Sequence, residues 1–353
     1  MKNHLFSHNS LGLNIVAIGG GNGLSMLLSG LKEFVDASEE HPTWIKTLSA
    51  IVAVSDDGGS SGRIRDELNI LPPGDIRNCM VALSEDSQLL SKVFQHRFTG
   101  TGELGGHSFG NLFLAALTEV TGDFAEAVKI SSEILASKGH IFPATTDDVS
   151  LVAELENGTL VYGETKIGCV GTQIKSLRLE PGTCHPLPET LLAIQEANII
   201  TVGPGSLFTS LLPPLLVEGV VEAIMQSSAT KVFICNLMTQ PGETEGFSAH
   251  QHVASIEKFA PGLKFDYVLV NNRRISEDQE ALYANMGATQ IGLQNSITPE
   301  TVKSANIIYG NLLDEGEKVR HDPYKLAGIV LKCALQTPQL TKMRERLEKI
   351  VIR

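Results

Sequence analysis

The sequence predicts an α/β protein built on a mostly parallel, doubly wound sheet with a small β-hairpin excursion. Three observations carry this expectation. Short apolar runs alternate with helical stripes along most of the 353 residues, the pattern of repeated βαβ units. Two glycine turns, Gly19-Gly20-Gly21-Asn22-Gly23 and Gly203-Pro204-Gly205-Ser206, each follow an apolar run and open a helical one. A third apolar run, residues 48–54, ends in Ser55-Asp56-Asp57-Gly58-Gly59-Ser60-Ser61-Gly62-Arg63. In open α/β sheets ligands sit at the carboxyl ends of parallel strands, where such loops fall.

Residues 1–12 read as a polar N-terminal arm, and residues 13–353 as a single domain. Residues 14–20 predict the first core strand, with Leu24, Leu27, Leu28 and Leu31 giving the stripe of the helix after it. Residues 48–57 complete the βαβ unit as a second strand, followed by a loop of small residues. From Asp75 to about Lys138 the pattern is helical, in segments 77–83, 89–98, 111–120 and 124–135. Residues 149–155 and 159–163 flank Asn157-Gly158, a dipeptide suited to the positive φ of a hairpin turn. With a further strand over 172–179, this makes an excursion of about 149–185. Strands are expected again at 197–202, 231–236, 267–271 and 306–309, and the chain closes in helices at 322–336 and 338–352.

Composition narrows the function. The chain is 42% hydrophobic and 19% charged, with a net charge of −12. That balance argues against a broad polyanion-binding surface, so no nucleic-acid partner is expected. The five cysteines are scattered and form no C-x-x-C pair, which favours reduced thiols and a cytoplasmic location. The apolar stretch 207–225 is interrupted by Pro213-Pro214 and Glu218, so no membrane span is expected. The sheet's far edge is a candidate face for a homo-oligomer.

The strand ends carry the candidate ligand contacts. Gly20, Gly21, Asn22 and Gly23 bring backbone amides and a helix N-terminus toward a phosphate. The spacing is neither G-x-G-x-x-G nor a P-loop, so no tightly bound nicotinamide or flavin is expected. Asp56 and Asp57 are candidate metal ligands, since paired carboxylates call for a compensating cation such as Mg²⁺. Which of the two faces the site is left open by the strand alternation. Ser60, Ser61 and Arg63 follow them. In Pro72-Pro73-Gly74-Asp75, Asp75 reads as a helix cap, and Arg77 and Asn78 sit oddly in the positive first turn of that helix. His107 and Asn111, four apart, could share a helix face. Gly203, Gly205 and Ser206, with Thr209 and Ser210, read as a second anion site. Asn236 and Asn271 end further strands, while Tyr283 and Arg320 are candidate base, sugar or phosphate contacts. Asp322 and Pro323 need only a helix-capping role.

Taken together, the blocks GGGNGLS (19–25), SDDGGSSGRIRDE (55–67), PPGDIRNC (72–79), GHSFGNLFLAAL (106–117), GPGSLFTSLLPPLLV (203–217), CNLMTQPGET (235–244) and RHDP (320–323) resemble the CofD-like, 2-phospho-L-lactate transferase-like family. The likeness is greater to its bacterial gluconeogenesis-factor branch. The resemblance spans nearly the whole chain and implies a Rossmann-like three-layer α/β/α fold that binds a nucleotide diphosphate compound. For that branch it implies a UDP-sugar-binding regulatory protein serving cell shape, envelope synthesis and growth on gluconeogenic carbon, without an assigned turnover. For the transferase branch it implies Mg²⁺-dependent movement of a phospholactyl-type group from a nucleotide diphosphate donor. Asn271-Asn272-Arg273-Arg274 departs from the small residue expected after Asn-Asn.

Overall fold

The computed structural model describes residues 12–35, 45–85, 88–170, 174–292 and 305–335. The predicted arm up to residue 11, the start of the strand at 172–173 and the helix at 338–352 lie outside the described residues.

Strand β1 (Leu13–Gly19) is an interior strand of the large sheet, with Leu13, Ile15, Val16, Ala17 and Ile18 all 0–1% exposed. A strand buried on both faces reads as a continuous apolar run, and this one does. Helix α1 (Gly21–Leu31) follows at once and buries Leu24, Leu27, Leu28 and Leu31, as their spacing predicts. Strand β2 (Ile45–Val52) pairs in parallel with β1. It begins and ends earlier than the sequence suggested, releasing residues 53–58 as the loop that carries the aspartates.

That loop is shorter than expected. Gly59–Leu68 forms helix α2, despite an opening Gly-Ser-Ser-Gly whose helix propensity is poor. Tertiary burial of Ser60, Ser61, Gly62 and Ile64 overrides propensity here. Helices α3 (Gly74–Leu83), α4 (Gln88–Gln95), α5 (Phe109–Thr121) and α6 (Phe124–Ile134) match the predicted helical stretch. Ser108 and Asp123 cap the last two, each accepting a backbone N–H three residues on.

A four-residue strand, β3 (His140–Pro143), was not expected and adds the outer edge beside β2. The excursion is a separate antiparallel sheet of β4 (Ser150–Leu155), β5 (Leu160–Tyr162) and β6 (Ile174–Glu180), in the order β5-β4-β6. A one-turn helix α7 (Glu164–Ile167) follows β5 and reaches the loop after β2, where Thr165 bonds Asp57. The chain then returns through α8 (Pro188–Glu196), β7 (Ile199–Val202), a π-helical turn (Leu207–Leu211), α9 (Leu212–Leu215) and α10 (Val220–Gln226). It continues as β8 (Thr230–Ile234), α11 (Ala249–Phe259), β9 (Tyr267–Asn271), α12 (Glu277–Asn285), β10 (Asn306–Gly310) and α13 (Pro323–Leu335). Asp322 caps α13 as expected, its Oδ1 accepting from Tyr324 N and Lys325 N at 2.9 Å.

The large sheet runs β10-β9-β8-β7-β1-β2-β3, and every pairing in it is parallel. The strand order reverses between β1 and β7, the switch point at which doubly wound sheets open a crevice. Both predicted glycine turns leave the sheet there. Among the described residues no single helix is long and apolar enough to cross a membrane.

Candidate functional site

A cleft of about 730 Å³ lies at the switch point, within the size range of small-molecule sites. One wall is the β1–α1 turn, Gly20 to Gly23; the other is Pro204, Gly205 and Ser206 after β7. The turns touch. A Cβ on Gly23 would lie 2.6 Å from the Pro204 carbonyl carbon, so only glycine lets the α1 N-terminus approach this closely.

Of the predicted site residues, Gly20, Gly21, Asn22, Gly23, Asp56, Gly205, Ser206, Ser210, Asn236, Tyr283 and Arg320 line this cleft. Asn236 braces the second turn: its Oδ1 accepts from Gly205 N (3.1 Å) and its Nδ2 donates to Gly205 O (2.8 Å). Gln240 Nε2 donates to Ser206 Oγ at 2.7 Å, leaving the Ser206 hydroxyl proton available to a ligand. Tyr283 fastens α12 to the Arg320 segment by accepting from Val319 N at 3.1 Å.

The aspartate pair divides. Asp56 lines the cleft and its Oδ1 accepts from Gly58 N at 2.9 Å. Asp57 points instead to α7, where its Oδ1 accepts from Thr165 N (2.8 Å) and Thr165 Oγ1 (2.6 Å). Asp57 therefore clamps the small sheet to the main one. Asp57→Ala is expected to lower local stability near α7 by about 1–2 kcal/mol. Faster hydrogen exchange at the Thr165 amide is the readout, and an unchanged rate would contradict the clamp.

Three carboxylates of consequence were missed or misread. Asp75 is not the α3 cap; Pro73 occupies that position. The Asp75 carboxylate instead lies against the first glycine turn and accepts from the Gly21 N–H. A Cβ on Gly20 would come within 2.5 Å of its Oδ2. Burial and the nearby Asp56 push its pKa up to about 6. Glu164 of α7 also lines the cleft, and burial, then Asp56 and Asp75, raise its pKa well above the carboxylate range. No sequence signal marked it, because only the docking of α7 brings it there.

Glu243 corrects the reading of the second turn. Its Oε1 accepts from Phe208 N at 2.8 Å, and Thr209 N also donates to the carboxylate. The first amides of the Leu207–Leu211 turn are thus satisfied by the protein itself. The hydroxyls that this turn presents to the cleft are those of Ser206 and Ser210. Burial lifts the Glu243 pKa to about 7 despite those two hydrogen bonds.

His321, beside Arg320, is a further cleft residue that the sequence reading passed over. Burial lowers its pKa to about 4, so the ring is neutral at physiological pH. Its bond to the Cys235 backbone and the partnerless buried Nε2 leave an acceptor for a ligand N–H or O–H.

The other predicted residues lie outside the cleft lining. Gly203 N donates to Ile18 O within the sheet, and Asn271 holds the β9 loop through Arg273 and Leu312. Ser61 packs beneath Gly74. Ser60 Oγ joins His107 Nδ1 (3.0 Å) and Asn111 Nδ2 (3.1 Å) in a buried network. Arg77 bonds Ser108 Oγ (2.5 Å) and Asn78 Oδ1 (2.6 Å), and Arg63 donates to Gly105 O (2.8 Å). These residues form a second polar cluster behind the Asp56 loop.

Among the described residues no three His, Cys, Asp or Glu side chains group to hold a metal by themselves. Asp56 and Asp75 do suit a cation that arrives with a diphosphate, since Mg²⁺ commonly takes one or two carboxylates plus phosphate oxygens. Burial first, and then the Asp56 charge, raise the Asp75 pKa, and a cation beside the two carboxylates would offset both.

Fold and cleft together define a doubly wound α/β protein with a small-molecule site at its switch point. Residues 15–312 match the family model for 2-phospho-L-lactate transferase CofD. The chain belongs to that family. It is 44% identical over 319 residues to the gluconeogenesis factor of Halalkalibacterium halodurans, covering 90% of this chain and 96% of that protein. It is 42% identical over 322 residues to the gluconeogenesis factor of Bacillus subtilis, with coverage of 90% and 96%. A crystal structure of a Bacillus halodurans protein shares the fold with a TM-score of 0.83 at 44% identity, covering 91% of this chain and 99% of that one.

Proposed function

We propose that this protein is a cytoplasmic regulatory protein that binds a UDP-sugar at the switch-point cleft. It would act in envelope synthesis, cell shape and growth on gluconeogenic carbon. The observation that carries the reading is the cleft itself, where two touching glycine turns face Asn236, Tyr283, Arg320 and His321 across a volume suited to one nucleotide sugar. The relatives named gluconeogenesis factor support the link to gluconeogenic growth. In this reading the first turn and Ser206 take the diphosphate, with Arg320 as the cleft-lining arginine beside it. Asp56 and Asp75 hold Mg²⁺ against the phosphates, and the neutral His321 accepts from a ligand N–H or O–H.

A second reading, Mg²⁺-dependent transfer of a phospholactyl-type group, is favoured by the family model and by the position of Asp56. The chemistry Mg²⁺ would supply is neutralisation of the diphosphate leaving group.

A thermal-shift panel of UDP-sugars, GDP compounds and nicotinamide nucleotides separates these ideas. UDP-sugars with Mg²⁺ are expected to stabilise selectively, by about 2.7 kcal/mol at a hundredfold excess over Kd. A flat panel, or selective response to GDP compounds, contradicts the UDP-sugar reading. Turnover of a nucleotide diphosphate donor with a deazaflavin acceptor would favour the second.

A further inference from the structure

The second polar cluster is organised around one short stretch, Gly105 to Ser108. Three arginines from different parts of the chain converge on it. Arg63 of α2 donates to Gly105 O, Arg97 after α4 donates to Gly106 O, and Arg77 of α3 donates to Ser108 Oγ. Backbone pairing of Arg97 with Ser108, and the bonds Phe98 N to His107 O and Gly106 N to Phe98 O, close the base of this loop and fix the geometry.

Among the described residues the three guanidiniums have no carboxylate in direct contact, although Arg65 nearby pairs with Asp148 at 2.5 Å. Carbonyl and hydroxyl acceptors satisfy some N–H groups but cancel no net charge. Arg77 keeps a buried Nε without a hydrogen-bond partner. Each group feels the others: burial and then Arg97 lower the Arg77 pKa, against a smaller opposing pull from Asp75 and Asp56, and burial and then Arg63 lower that of His107, against a smaller one from Glu67. Like charges are held together here in a protein whose net charge is −12. Arg63 and Arg97 are exposed, so their remaining donors face solvent. Guanidinium forks of this kind match phosphate oxygens in geometry and charge.

We propose that Arg63, Arg77 and Arg97, around Gly105–Ser108, form a second anion site that takes the phosphate group of a molecule separate from the cleft ligand. None of these residues lines the cleft. Helix α3 joins the two sites, because Asp75 faces the first glycine turn while Arg77, two residues on, faces the cluster. The inference does not depend on which ligand the cleft binds. A free phosphorylated compound and the distal end of the cleft ligand share the same phosphate chemistry, and the two arms below distinguish them.

The test is thermal shift against inorganic phosphate, with chloride at matched ionic strength as control. Wild type is expected to show saturable, phosphate-specific stabilisation. The response should persist when the cleft is saturated with the ligand identified by the nucleotide panel. Arg97→Gln and Arg63→Gln change exposed side chains, and each should weaken the phosphate response at least about tenfold, the scale of one lost charge-assisted hydrogen bond. Arg97→Gln should leave nucleotide binding unchanged. No phosphate-specific stabilisation in wild type, or a response undiminished from wild type in both variants, would overturn the proposal. Loss of the response on saturating the cleft would overturn the separate-site claim and place the phosphate in the cleft.

Discussion

Glu243→Ala is expected to destabilise the fold by about 3 kcal/mol at pH 5.5, and by less at pH 8. The alanine orphans two buried amides, Phe208 N and Thr209 N, at about 1–3 kcal/mol each. The pH dependence follows from the raised pKa. In the native state Glu243 titrates near 7, against 4.5 for an unburied glutamate. The native protein therefore holds this proton more tightly than the unfolded chain. The stability linked to it is fully present below about pH 4.5 and is lost as pH rises through 7. At pH 8 the buried charge costs about 3 kcal/mol, from 1.36 kcal/mol per unit. Glu243→Gln keeps an oxygen for the two amides and carries no charge. It should match wild type at low pH and exceed it at pH 8. Urea denaturation of the three proteins at pH 5.5 and 8 measures this. A wild-type-to-Gln difference that ignores pH would show that the carboxylate is not held as described.

Gly23→Ala is the second large effect. The added methyl would press into the backbone of Pro204 and Gly205, which no side-chain rotation can relieve. Overpacking of this kind costs about 1–3 kcal/mol. The greater effect falls on binding, because the two turns that form the cleft must separate. At least a tenfold loss of ligand affinity is expected by calorimetric titration. Gly328→Ala in α13 is the control: its Cβ would meet nothing within 4 Å. That change should stabilise slightly, by about 0.5–1 kcal/mol. Comparable losses in both variants would contradict the close-approach argument.

The elements legible in the sequence were those whose pattern is local. The β1 apolar run, the α1 leucine stripe, the β9 strand and the Asn157-Gly158 hairpin all stand where periodicity and turn chemistry put them. The β3 strand escaped because four residues ending in proline carry no alternation. Helix α2 escaped because Gly-Ser-Ser-Gly reads as loop until burial is known. The same division holds for the site. The glycine turns and Asn236, Tyr283 and Arg320 could be named because they follow strands or sit in unexplained motifs. The roles of Asp75, Glu164 and Glu243 could not, since each depends on a partner far away in sequence. The aspartate pair was visible as a unit, yet only the docking of α7 separates Asp56 in the cleft from Asp57 on Thr165.

The most direct test is a crystal structure of the protein with a UDP-sugar and Mg²⁺. The diphosphate is expected between the Gly20–Gly23 turn and Ser206, with the cation on Asp56 and Asp75 and Arg320 within reach of the ligand. A ligand bound elsewhere, or a saturated protein whose switch-point cleft shows only solvent, would contradict the assignment of this cleft.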